Sequence, residues 1–161
     1  MKNRFEDASE KARVMLETIR AQHFKELNDA KILLLFDLKR RATADKITFA
    51  QIKKSDDLIR HISADDRDMV YGFDYIITVD KLLWDNIENT DRERVLRHEL
   101  RHSKYDPESE TIYKIRPHTI EDFHEEVELN HDDPQWGQKL AVSLEALYDQ
   151  QKNPQMRLPM G

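Results

Sequence analysis

The sequence predicts an α+β domain: an N-terminal helix, a three- to four-stranded antiparallel or mixed sheet, two helices carrying histidines and acids, and an extra C-terminal helix. Three observations predict it. Apolar residues recur every three or four positions over the first part of the chain, occupy every second position from Phe73 to Val79, and form a short unbroken run from Ile32 to Phe36. The first is the period of a helix, the second that of a half-buried strand, and the third is too short for a helix of its own. At 161 residues and 39% hydrophobic content, despite a mean hydropathy of -0.82, the chain suffices for one core. The reading is a single domain over residues 1–152 and a mobile tail over 153–161, a stretch with two prolines and no periodicity.

Taken in order, Arg4 to Leu27 reads as one long helix, with Phe5, Ala8, Ala12, Met15, Leu16, Ile19 and Phe24 at helical spacing. His23 near its end reads as a surface or partly packed residue. Lys31 to Leu38 is a central strand, Lys39 to Lys46 a turn or hairpin connection, and Ile47 to Lys53 a second strand with a slip before Ile52. Asp56 to Ile62 is a short helical turn, followed by a polar loop from Ser63 to Asp68. Gly72 opens the strand Phe73 to Val79, and Asp80 caps a short helix, Lys81 to Ile87, whose Leu82, Leu83 and Trp84 belong in the core. Thr90 to Ser103 is the next helix, with Thr90 and Glu93 read as a capping box and Val95 and Leu96 facing inward. Thr111 to Ile115 alternates as a short strand that Pro117 stops. A helix from Thr119 to Leu129 has Ile120, Phe123 and Val127 as its apolar stripe. The last helix, Gln135 to Gln151, joins Trp136, Leu140, Leu144, Leu147 and Tyr148 in one seam.

The chemistry lies in His98-Glu99-Leu100-Arg101-His102 on the helix from Thr90 to Ser103. Residues four apart share a helix face, so two imidazoles can converge on one zinc ion while Glu99, beside them, serves as general base toward water. Arg97 and Arg101 are unusual there, because such helices keep charge away from the histidines. A catalytic zinc needs a third protein ligand, and without cysteine the downstream candidates are His118, Glu121, Asp122, His124, Glu125 and His131. His118, just after Pro117 at a strand-to-helix corner, is favoured, with Glu121 as runner-up. If His118 binds, Glu121 or Asp122 supports the ligands through hydrogen bonds, and Glu125 can orient a zinc-binding histidine. Tyr105, Tyr113, Arg116 and His124 are candidate oxyanion donors.

Composition narrows the classes. A formal charge of -6 argues against a generic nucleic-acid binder, and Lys39-Arg40-Arg41 is the local basic exception through which nucleic acid could be touched. The absence of cysteine fits a reducing cytoplasm. Neither a signal-peptide pattern nor eighteen consecutive apolar residues is found, so no membrane is expected. The oligomeric state is not legible.

The strand, the Asp80-capped turn with Trp84, the His98-Glu99-Leu100-x-His102 helix and Arg116-Pro117-His118 with Phe123 together resemble the putative phage metallopeptidase family. More distantly they look like the minigluzincins and the SprT-like (Spartan) domains. The resemblance covers roughly residues 27–136. It implies a small zincin-like domain, a zinc-dependent hydrolase of phage or prophage origin acting on a peptide or protein in the bacterial cytoplasm, and His118 as the third ligand. Two rivals belong to other classes: a zinc-stabilised module that neutralises a host protein without cutting it and has no need of Glu99, and DNA-associated proteolysis resting on Lys39-Arg40-Arg41.

Overall fold

The computed structural model of the chain describes residues 3–43, 46–64, 72–117 and 123–153. It opens with a strand, β1 (Phe5–Asp7), followed by α1 (Glu10–His23) and a 3-10 turn at Lys25–Leu27. The helix expected from Arg4 to Leu27 is therefore shorter at both ends. The Ser9 hydroxyl accepts a hydrogen bond from the Ala12 N–H and starts the helix there, while Phe5–Asp7 is drawn into antiparallel pairing, Phe5 opposite Asp37.

The chain continues through β2 (Ile32–Asp37), β3 (Arg41–Thr43), β4 (Lys46–Thr48), β5 (Ala50–Lys54), α2 (Asp57–Ile62) and β6 (Tyr75–Asp80). Strands β1, β2, β6 and β5, in that order, form a mixed four-stranded sheet, with β2 and β6 parallel and both outer strands antiparallel to their neighbours. The expected strand Ile47 to Lys53 is divided at Phe49: β4 pairs with β3 in a separate hairpin, and only β5 joins the main sheet. Gly72 approaches the end of α2 so closely that a Cβ would lie 2.4 Å from the Arg60 carbonyl oxygen, which glycine alone permits.

Next come α3 (Lys81–Asp85), α4 (Asn89–Arg101), β7 (Ser103–Tyr105), β8 (Tyr113–Ile115), α5 (His124–Leu129) and α6 (Trp136–Lys152). Asp80 caps α3 as expected, accepting from the Leu83 N–H at 3.0 Å. The capping box at Thr90 does not form, because Glu88 is the N-cap residue and Thr90 lies inside the first turn. Helix α4 also stops before Ser103, which starts a β7–β8 hairpin with Tyr105 opposite Tyr113. Leu34, Phe36, Tyr75, Ile77, Val79 and Ile52 of the sheet form one core with Leu16 and Ile19 of α1, Val95, Leu96 and Leu100 of α4, and Trp136, Leu140 and Leu144 of α6. Buried Tyr75 donates its hydroxyl to the Lys114 carbonyl at 2.7 Å and so ties the hairpin to the sheet.

The expected stripe on the helix after Pro117 needs correction. Val127 is exposed, and the inward positions are Phe123, Glu126 and Asn130. An acid is inside because basic partners wait for it there. The polar loop expected from Ser63 to Asp68 and the expected tail lie largely outside the described residues.

Candidate metal centre

Helix α4 is anchored inward by Val95, Leu96 and Leu100, each with no exposed surface, which brings His98 and His102 out together on an adjacent face. Their rings lie 5.3 Å apart, centroid to centroid, in a T-shaped arrangement. His102 Nδ1 is 2.9 Å from the Arg116 carbonyl oxygen. A carbonyl only accepts, so Nδ1 carries the proton and Nε2 is left with its lone pair, the state a metal ligand requires. The Arg116 N–H donates back to the His102 carbonyl at 2.6 Å. Phe123 packs against both imidazoles, 5.3 Å from His98 and 4.9 Å from His102, and Trp136 lies 5.8 Å from His98. The pair thus sits between aromatic walls.

Glu99 is buried, and burial pushes its carboxyl up to about 7, with the nearby His98 charge and a hydrogen bond from the Ile52 backbone working in the opposite direction. The edge strand β5, to which Ile52 belongs, runs beside α4.

Arg116, a candidate oxyanion donor, directs its guanidinium elsewhere: Nε donates to the Arg101 carbonyl at 2.5 Å, Nη2 to Glu125 at 3.3 Å, and the group stacks 4.9 Å from the Phe123 centroid. Glu125 accordingly lies with Arg116. Tyr105 is exposed, and Tyr113 is half-buried with its ring edge-on to Tyr75 at 5.9 Å. His131 is exposed, its Nδ1 3.0 Å from the Glu128 carbonyl at the end of α5. His124 opens α5. His118, Glu121 and Asp122 lie outside the described residues, and among the described residues no group of three His, Asp or Glu could hold a metal.

Arginine spacing on α4 was the missed signal. Arg94, Arg97 and Arg101 follow at intervals of three and four and form one stripe toward α5 and the turn after it. Arg94 binds Asp91 at 2.9 Å and Asp132 at 2.5 Å. Arg97 donates to Glu126 Oε1 at 2.6 Å and to Asn130 at 2.5 Å, and Arg101 donates to Glu126 Oε2 at 3.0 Å. The two arginines that looked out of place beside the histidines are therefore internal partners of a buried acid. At the far end of the sheet Arg41 is likewise committed to Asp37, and Arg40 packs on the Tyr148 ring.

The donor set suits zinc as far as it is described: two imidazoles one turn apart, one of them locked in the metal-binding tautomer, and a buried carboxylate next to them. Among the described residues no helix is long and apolar enough to cross a membrane. A family model described as putative phage metallopeptidase matches residues 3–151. No curated protein and no solved structure matches the chain.

Proposed function

The chain belongs to the putative phage metallopeptidase family, and from that premise we propose that it is a zinc-dependent peptidase in which His98, His102 and His118 hold the ion and Glu99 acts as general base. Membership itself implies a metal ion and a peptide or protein substrate. The observation that carries the finer reading is the His98/His102 pair, with the Arg116 carbonyl fixing the His102 tautomer and Glu99 enclosed beside it. A bound zinc ion supplies Lewis acidity toward a peptide carbonyl and makes water a stronger acid.

The chain's own residues do the rest. Phe123 and Trp136 limit water around the imidazoles. Glu99 takes the proton of the attacking water and delivers it to the departing amine. Strand β5 is an edge beside α4 and lets an extended peptide align by backbone pairing. Tyr105 and Tyr113, on the hairpin, are the side chains for the oxyanion, while Arg116 positions His102. Glu121 and Asp122 are the supporting acids. We place this activity in the cytoplasm of the bacterial host of a phage or prophage.

The test combines three variants. Glu99→Ala is expected to bind Zn2+ as the wild type does and to lose hydrolysis of a peptide library. His118→Ala is expected to lose far more zinc affinity than Glu121→Ala. Loss of zinc from Glu99→Ala, or the reverse order for the other two, would overturn the assignment.

A further inference from the structure

We propose that Glu126, gripped by Arg97 and Arg101, is a positioning residue for the metal centre: it seats Phe123 against both imidazoles. The inference rests on the metallopeptidase reading. Its starting point is the makeup of α5. A helix of six residues has little stability of its own, and of the α5 side chains described, Glu126 alone is buried, while Val127 and Leu129 face solvent. The helix itself docks on α4 through a carboxylate.

That carboxylate is held at both oxygens. Arg97 takes Oε1 and Arg101 takes Oε2, and these arginines immediately precede His98 and His102. One turn before Glu126 is Phe123, whose carbonyl accepts from the Glu126 N–H at 2.9 Å. The grip on Glu126 therefore sets Phe123, and the Phe123 ring touches both histidines. Arg116 approaches Phe123 from the other side: it bonds the Arg101 and His102 carbonyls and stacks on the Phe123 ring. Phe123 is thus held from two directions, by the turn to Glu126 and by the Arg116 guanidinium.

A device that only had to stick α5 to α4 would be served as well by apolar side chains, since buried ion pairs are weak contributors to stability. What a planar guanidinium on a carboxylate adds is a fixed register in distance and direction. Register is what a ligand arriving from another element requires.

Two variants separate register from adhesion. Arg97→Met/Arg101→Met/Glu126→Leu removes all three charges together, and Arg97→Lys/Arg101→Lys keeps the charges but loses the fork. For each, the melting temperature is measured in excess chelator, Zn2+ affinity by competition with a chromophoric chelator, and coordination by the visible spectrum of the Co2+-loaded protein. Both variants are expected to melt within a few degrees of the wild type, to bind Zn2+ about tenfold or more weakly, and to show an altered Co2+ spectrum. Wild-type affinity and spectrum in both variants would overturn the inference and leave the peptidase reading standing, as would an affinity loss that only tracks a fall in melting temperature. If the apolar variant does not fold, the lysine variant decides by the same readouts. A wild-type chain that binds no Zn2+ removes the peptidase reading and the inference together.

Discussion

Two buried carboxylates in this fold are each held by two arginines, and it is the arginines that differ in how much water they meet. Asp37, at the end of β2, receives Arg4 from before β1 and Arg41 from β3, whose side chains are 41% and 31% exposed. Glu126 is 0% exposed and receives Arg97 and Arg101, which are 11% and 15% exposed. The same chemistry is therefore built once at the rim and once inside. Water and salt reach the arginines of Asp37, whereas those of Glu126 are largely shut off from both. The dry version is the one beside the histidines.

The largest effect should come from breaking the dry cluster one-sidedly. Glu126→Leu leaves two guanidinium groups facing each other without their acid, and loss of one partner from a buried pair costs about 3–5 kcal/mol. Denaturant unfolding of the metal-free protein measures it. A loss below about 1 kcal/mol would mean that the interior admits water freely, and the contrast between the two clusters would collapse.

At the rim, Asp37→Asn should cost about 1.5–3 kcal/mol near neutral pH, the range for hydrogen bonds to a charged group. Its pH dependence identifies the source. Burial pushes the Asp37 carboxyl up, but hydrogen bonds from Arg4, the Lys39 N–H and Arg41 outweigh it and hold the group below the usual aspartate range. A depressed value stabilises the fold fully above the unfolded value, about 3.9, and that contribution is lost as pH falls through the folded value. The gap between wild type and Asp37→Asn should therefore be constant from pH 5 to 7 and close below about pH 4. A gap that widens on acidification would contradict the assignment.

Local patterns made much of this legible. Alternation placed β6, the apolar run placed β2, Asp80 announced the cap of α3, and His98-Glu99-x-x-His102 announced its own geometry. What could not be read locally depends on partners far along the chain. Phe5 fell on the helical period of Ala8 and Ala12 by coincidence, and it is β2, whose Asp37 lies 32 residues on from Phe5, that draws β1 into the sheet. Glu126 looked like surface because its arginines lie 29 and 25 residues upstream. Arg97 and Arg101 seemed to count against a metal helix for the same reason: their acid lies on another element. The two-histidine face of α4 was readable, and the side chains that steady it were not.

The smallest effect sharpens the comparison most. Arg4 donates to both Asp37 oxygens, at 3.1 and 3.2 Å, and its guanidinium lies 5.3 Å from the Phe5 ring centroid. By geometry alone this two-point contact is more complete than that of Arg97, which reaches one oxygen of Glu126 and turns its other group to Asn130. Yet Arg4 is 41% exposed, and Arg41 and the Lys39 N–H still serve Asp37 when Arg4 is gone. Arg4→Met, which retains an apolar stem over Phe5, should therefore cost less than about 1 kcal/mol, and that cost should shrink further between 0.05 and 0.5 M NaCl as screening removes the Coulomb attraction. Arg101→Met should be insensitive to the same salt range, because its acid is out of reach of counterions. Equal salt dependence in the two variants would show that exposure, as read from the fold, does not govern the strength of these pairs.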